Sequence, residues 1–325
     1  MRPARKKLAS YLLTFFVIIS LNFALARLMP GNPFLHLSGE GGEIFESMSS
    51  DQVAYYQAYY GLDKPLLTQY TDYLRGLVQG DLGFSYYYKT PVLGLVLRRA
   101  LWSFFLTFFA LVLSFALGIL LGSYSAWHRG DGRDRVLYLI MTLTSEIPPF
   151  LLGMALLLVF AARWQVFPLA GAMAPFTGSL PLGEKILDIL HHAALPIMTL
   201  TLVRLGGVYI LVRNALIGVL SQDYIRTAQA KGLKERRIRY RHGLRNALLP
   251  IFTRLTLQVA TMMGSTILVE NVFAYPGLGS LMQSAVQVRD YPLLQGIFLI
   301  LALGVMGANF LADQAYKKLD PRVKG

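Results

Sequence analysis

The chain contains no cysteine. That excludes a disulfide framework, a thiolate metal site, an iron–sulfur cluster and a cysteine nucleophile. Charge is also scarce: Asp, Glu, Lys and Arg make up 15% of 325 residues, against 54% hydrophobic residues and a mean hydropathy of +0.47. Such a composition belongs in lipid rather than in a soluble enzyme. Acids are the rarer sign, 18 against 31 basic residues, for a net charge of +13. No Gly-x-x-x-x-Gly-Lys-Ser/Thr loop is present to cradle nucleotide phosphates, and His-Glu-x-x-His, Gly-x-Ser-x-Gly and dinucleotide fingerprints are missing too. An integral membrane enzyme therefore lacks a catalytic constellation. The five histidines are scattered. His191 and His192 are adjacent, about 100° apart on a helix and poor co-ligands, and they are expected in a loop near the outer surface.

What the chain does have is long apolar runs. Crossing the ~30 Å hydrocarbon layer takes roughly 20 apolar residues in a helix. Six windows qualify: 8–26, 101–127 and 291–312 are uncharged, while 136–162 carries only Glu146, 193–212 only Arg204 and 246–269 only Arg254. Lys and Arg near span ends are retained on the cytoplasmic side. With the N-terminus inside, 20 of the 31 basic residues fall in cytoplasmic segments, nine fall outside and two lie within spans, so both termini are expected in the cytoplasm. A nucleic-acid binder would instead gather its cations on one folded domain. The first run also fits a cleavable signal peptide ending in Ala24-Leu25-Ala26, but ~19 apolar residues exceed the usual 7–15 of a signal core and favour a retained helix.

Between the fourth and fifth spans, Ser221 is a plausible N-cap, Asp223 suits the first helical turn and Gly232 is placed to stop the helix. This predicts a short helix over 223–231, with Thr227, Ala228 and Ala230 keeping part of its surface low. Lys234, Arg237, Arg241 and Arg245 recur at helical steps as one basic stripe, readable also as simple anchoring to anionic lipid headgroups. Between the first two spans, 29–99 holds twelve Tyr and Phe residues, too many for a disordered linker, which predicts a small extracytoplasmic region of its own; tyrosines resting at the membrane interface are the alternative.

The segment Asp223-Tyr-Ile-Arg-Thr-Ala-Gln-Ala-Lys-Gly-Leu233 with Arg241-His-Gly-Leu-Arg-Asn-Ala-Leu-Leu-Pro250 resembles the EAA loop of ABC importer permeases of the dipeptide/oligopeptide/nickel family. Leu28-Met-Pro-Gly-Asn-Pro33, Gly61-Leu-Asp-Lys-Pro65, Gly80-Asp-Leu-Gly83, Glu270-Asn-Val-Phe-Ala-Tyr-Pro-Gly-Leu-Gly279, Arg289-Asp-Tyr-Pro292 and Asp320-Pro-Arg322 resemble the B-type subunit of that family in the same order. The chain departs from the pattern at Arg226 and Thr227, where the general EAA loop begins with an acid, so a salt bridge from that acid cannot be carried over. Asn32 replaces a usual Asp, and Arg98-Arg-Ala-Leu-Trp102 replaces a Pro-containing start to the second span.

The resemblance implies an all-α integral membrane protein of type I importer permease fold. It would have an N-terminal transmembrane helix (1–28), an extracytoplasmic region (29–99), a permease core of five helices (100–313) with its coupling loop at about 213–247, and a cytoplasmic tail (314–325). It further implies a second homologous permease, two ATPase subunits that bind the ATP and Mg, an extracytoplasmic solute-binding protein, and no cofactor on this chain. Asp223, Tyr224, Ile225, Arg226, Thr227, Ala228, Ala230, Lys231 and Gly232 would form the helix that docks on the ATPase. Peptides, nickel complexes and other small solutes all remain open as cargo. A secondary transporter or channel would also need spans and buried charges, but has no use for a punctuated helix in this loop. Glu146 and Arg204 are expected ~15 Å deep in consecutive antiparallel spans, either paired or facing the solute pathway separately, with Pro148-Pro149 bending the third span just beyond Glu146.

Overall fold

A computed structural model of the protein describes residues 2–28, 50–175, 177–247, 251 and 264–319. Among the described residues all regular structure is helical, apart from one isolated antiparallel bridge between Phe84 and Pro91. In chain order these are α1 (Arg2–Leu28), α2 (Ser50–Tyr59), α3 (Leu66–Gln79), α4 (Val92–Trp127), α5 (Gly132–Glu146) and α6 (Pro149–Leu156), the last continued by a π-helix, Leu157–Arg163. They are followed by α7 (Leu182–Leu220), α8 (Asp223–Ala230), α9 (Glu235–Arg237) running into a second π-helix (Ile238–Leu244), α10 (Leu278–Gln287) and α11 (Tyr291–Leu319).

Four helical segments are long and apolar enough to cross a membrane: Ala9–Leu28, Val92–Trp127, Leu182–Leu220 and Tyr291–Phe310. The segments Gly132–Glu146 and Pro149–Arg163 qualify together as one broken span, bent by 104°. The bend has a local cause. Ile147, ahead of Pro148, is extended (ψ 125°) as a residue before proline must be, and Pro149 opens α6 where its missing N–H costs nothing. The expected fifth span, 246–269, lies largely outside the described residues, as do 29–49 and the end of the tail.

Two helices begin well before their apolar windows. α4 starts at Val92 rather than 101, and α7 starts at Leu182 rather than 193, which makes them about 54 and 58 Å long at 1.5 Å per residue. His191 and His192 thus sit in α7, not in a loop: His191 Nε2 meets the Val166 carbonyl at 2.8 Å, and His192 Nδ1 lies 3.3 Å from Asp188.

The chain forms two compact units. In the first, Met1–Trp102 with Gly277–Met306, α2 and α3 pack with α1 and the start of α11. Phe23 meets Tyr70 edge-on at 5.2 Å, Tyr60 meets Tyr86 at 4.4 Å, and the Asn22 amide donates to the Gln295 carbonyl at 2.8 Å. Asp290, fully buried, accepts from Ser85 Oγ at 2.5 Å, from the Tyr87 N–H at 3.1 Å and from the Leu293 N–H at 3.2 Å. One carboxylate therefore caps α11 and staples the loop before α4 to it.

The second unit is Ser103–Pro276 with Gly307–Gly325. Its helices approach to backbone contact, which small residues permit in a membrane. A Cβ on Gly122 of α4 would lie 2.8 Å from the Tyr209 carbonyl oxygen of α7, and one on Gly206 of α7 would lie 2.2 Å from that of Met141 in α5. Around the α4–α7 crossing, Phe115, Val208, Val212, Leu216 and Ile251 form a buried cluster.

Candidate functional site: the loop after α7

The loop after α7 is built from short, sharply ended pieces. Ser221 closes α7, its hydroxyl donating to the Gly218 carbonyl at 2.9 Å, so Gln222 (ψ 150°) and not Ser221 occupies the N-cap of α8. At the far end Gly232 has φ +67°. Its N–H donates to Gln229 O at 2.9 Å and the Leu233 N–H to Ala228 O at 3.3 Å, the paired bonds of a Schellman stop. Helical bonding ends at Ala230, with Lys231 as the C-cap.

Only two side chains of α8 are buried, Ile225 and Ala228, one turn apart. They pack on Ile238, with Trp127, Leu220 and Leu233 around them. Asp223, Tyr224, Arg226, Thr227 and Ala230 face outward, as do Lys231 and Gly232 beyond the helix. Asp223 and Arg226 lie 3.8 Å apart on this open face, and Tyr224 is tied to the chain ahead by Asn246 Nδ2 at 3.2 Å. Of the three small residues expected to keep part of the helix surface low, Ala228 seats the helix on its own loop, and Thr227 and Ala230 lie on the open face. Lys234, Arg236, Arg237 and Arg241 line an open groove of about 610 Å³ with Tyr240. Arg245 is not part of that lining, because the α-helical stripe is interrupted by the i→i+5 register of Ile238–Leu244.

Two charged arrangements in the second unit were not singled out from the sequence. Asp134 of α5, 3% exposed, receives Arg213 of α7 in a bidentate pair, Nε at 2.8 Å and Nη2 at 2.7 Å. Ser125 of α4 donates to the same carboxylate and lies 2.5 Å from the Tyr209 hydroxyl, while the Arg213 guanidinium stands 5.1 Å from the centre of the Tyr138 ring. Three helices are thereby joined at the ends nearest α8. Farther along, Glu270 is fully buried and accepts from Ser103 Oγ at 2.5 Å, with Thr107 and Thr266 3.2 Å apart beside it.

No ion pair joins Glu146 to Arg204 among the described residues. Arg204 donates from Nη2 to Ser265 at 3.1 Å, whereas Glu146 is the exposed last residue of α5, at the 104° break. The α5–α7 crossing is closed by backbone at Gly206, and its charge pairing is made at Asp134 and Arg213 instead.

Residues 117–325 match the family described as "Binding-protein-dependent transport system inner membrane component". The chain belongs to this family. Similar family members include the dipeptide transport system permease protein DppB of Escherichia coli K12, 33% identical over 98% of this chain and 97% of that protein. The glutathione transport system permease protein GsiC of Pectobacterium atrosepticum is 32% identical over the same shares of each. Two solved forms of the inward-facing MetNI methionine ABC transporter share the fold at 18% and 17% identity, with TM-scores of 0.55 and 0.57, each covering 70% of this chain and 96% of that one. The protein is accordingly a multi-pass inner-membrane permease subunit of a binding-protein-dependent ABC importer.

Proposed function

We propose that this permease forms half of a translocation pathway for peptides, paired with a second, related permease and seated on two ATPase subunits that bind the ATP and Mg. The peptide assignment rests on relatives named for the transport of dipeptides, of di- and tripeptides, and of the tripeptide glutathione. The orientation rests on the basic residues that flank the spans, with both termini and α8 in the cytoplasm. Solute would arrive from an extracytoplasmic binding protein.

One observation carries the coupling assignment: α8 is a single two-turn helix, closed at its C-terminus by a Schellman stop, anchored by Ile225 and Ala228 and open on its other face. Such a rigid knob suits a groove on a partner whose closure it must follow. Because the chain has no native cysteine, the test is clean. Thr227→Cys, labelled in the assembled complex with a maleimide–benzophenone probe whose photoactivated ketone inserts into neighbouring C–H bonds, should crosslink to the ATPase, while Glu184→Cys, at the other end of α7, should not. Absence of any ATPase adduct from Thr227→Cys, or solute uptake by this chain alone in liposomes without ATP, would overturn the assignment.

A further inference from the structure

The hydrophobic seat of α8 includes one aromatic from outside the loop, Trp127, the last residue of α4. A displacement of α8 can pass along the chain at Leu220 and Leu233, or across space into α4, and Trp127 is the contact that opens the second route. The guanidinium of Arg239 lies over the same ring, 4.5 Å from its centre. This cation is held unusually. Its Nε and one terminal nitrogen are buried without a hydrogen-bond partner, and buried polar groups are rarely left so without a reason. Planar stacking on tryptophan is the attraction that keeps it there. Arg239 belongs to the π-helical turn Ile238–Leu244, against which α8 packs, and such turns are short, less regular than α-helix and frequent at functional sites.

From this geometry we infer that Arg239 and Trp127 are positioning residues that carry the movement of α8 into the second span. The stacked contact is formed in the state seen here and is exchanged for ordinary hydrogen bonds to water or to the ATPase in another state of the cycle. The inference rests on the reading of α8 as the ATPase-coupling helix. A contact that can be made and broken as a unit gives the loop two discrete arrangements, which transmission of a conformational change requires.

The experiment uses the complete importer in liposomes, with both permeases, the ATPase subunits and the binding protein, and measures ATP hydrolysis and solute uptake in parallel. Trp127→Leu and Arg239→Met should leave binding-protein-stimulated hydrolysis near the parent value. Solute moved per ATP should fall by about ten-fold, the factor a desolvated cation–π contact can carry. Arg239→Lys keeps the charge but not the flat stacking surface and should fall less. Unchanged solute per ATP in the three variants would overturn the inference. So would parallel loss of hydrolysis and uptake, or failure to recover a folded complex from all three, since either marks a contact that only holds the fold together. Absence of ATP-driven uptake by the parent complex would instead overturn the reading of α8, so the two failures are distinguishable.

Discussion

Replacing Asp134 with alanine strands the guanidinium of Arg213 in a site where its side chain is only 16% exposed. The pair is bidentate, at 2.7 and 2.8 Å, and the carboxylate carries a further bond from Ser125 and one from the Gly130 N–H at 3.3 Å. Removing one member of a buried pair costs about 3–5 kcal/mol, mostly because the other charge is left uncompensated. The residual exposure of Arg213, and its contact with Tyr138, argue for the lower end, about 3 kcal/mol. Where that loss falls on the native state and not on the barrier, unfolding quickens by about a hundred-fold, at 1.4 kcal/mol per factor of ten. Unfolding rates of the purified subunit in mild detergent, read from tryptophan fluorescence, would measure it. The decisive control is the double variant Asp134→Leu with Arg213→Met, in which no charge is stranded and most of the loss should return. If Asp134→Ala is within about 0.5 kcal/mol of the parent, or if the double variant costs the sum of the singles, the network does not join α4, α5 and α7 in the way described.

Further expectations follow from single positions. Gly206→Val puts a branched side chain where even a Cβ would lie 2.2 Å from Met141 O, so α5 and α7 must separate, and the yield of folded protein in membranes should collapse. Gly232→Ile meets no steric obstacle, with nothing within 4 Å of the added Cβ, and is strained only by its φ of +67°. Its cost should be about 1–2 kcal/mol, and uptake should fall while insertion persists, with Gly232→Asn much milder. Burial pushes the Asp290 carboxyl above the ordinary aspartate range, outweighing its hydrogen bonds from Ser85 and the Tyr87 and Leu293 amides. A raised folded pKa means stability is fullest below the unfolded value of about 3.9 and declines as pH rises through the folded one, which pH-dependent thermal melting would detect. Asp290→Asn should abolish that slope and still destabilise, because its amide NH2 would face donors on either side.

Hydropathy reveals where a helix lies in lipid, but not where it ends. Arg98 and Arg99 interrupt the apolar run and continue α4 all the same, since arginine is a good helix former and can reach outward from a helix end. In α7, Glu184, Lys185 and Asp188 likewise extend a helix whose apolar window opens only at 193. The break after Glu146 was legible because proline acts locally, and the stop at Gly232 because a left-handed position selects glycine. The N-cap of α8 shifted by one residue because Ser221 is engaged by the end of α7, a competition that spacing does not display. Asp134 with Arg213, and Ser85 with Asp290, are joined across 79 and 205 positions of sequence, and no local pattern announces either. Nor does sequence separate an i→i+5 turn from an α-helical one at Ile238–Leu244.

The near-contact of Gly206 with the backbone of α5 gives α7 a fulcrum. Measured along the helix, Gly206 stands about 21 Å from Leu220, next to α8, and about 36 Å from Leu182 at the opposite end. The arms are unequal, so a 1 Å sideways push beside α8 emerges as a swing of about 1.7 Å at Leu182, opposite in direction and reduced by whatever flexing Pro196 absorbs on the long arm. On the proposed reading of α8, a small stroke delivered at the loop would be magnified at the far end of the helix, with the close approaches at Gly206 and Gly122 and the Asp134–Arg213 pair together setting where α7 can pivot.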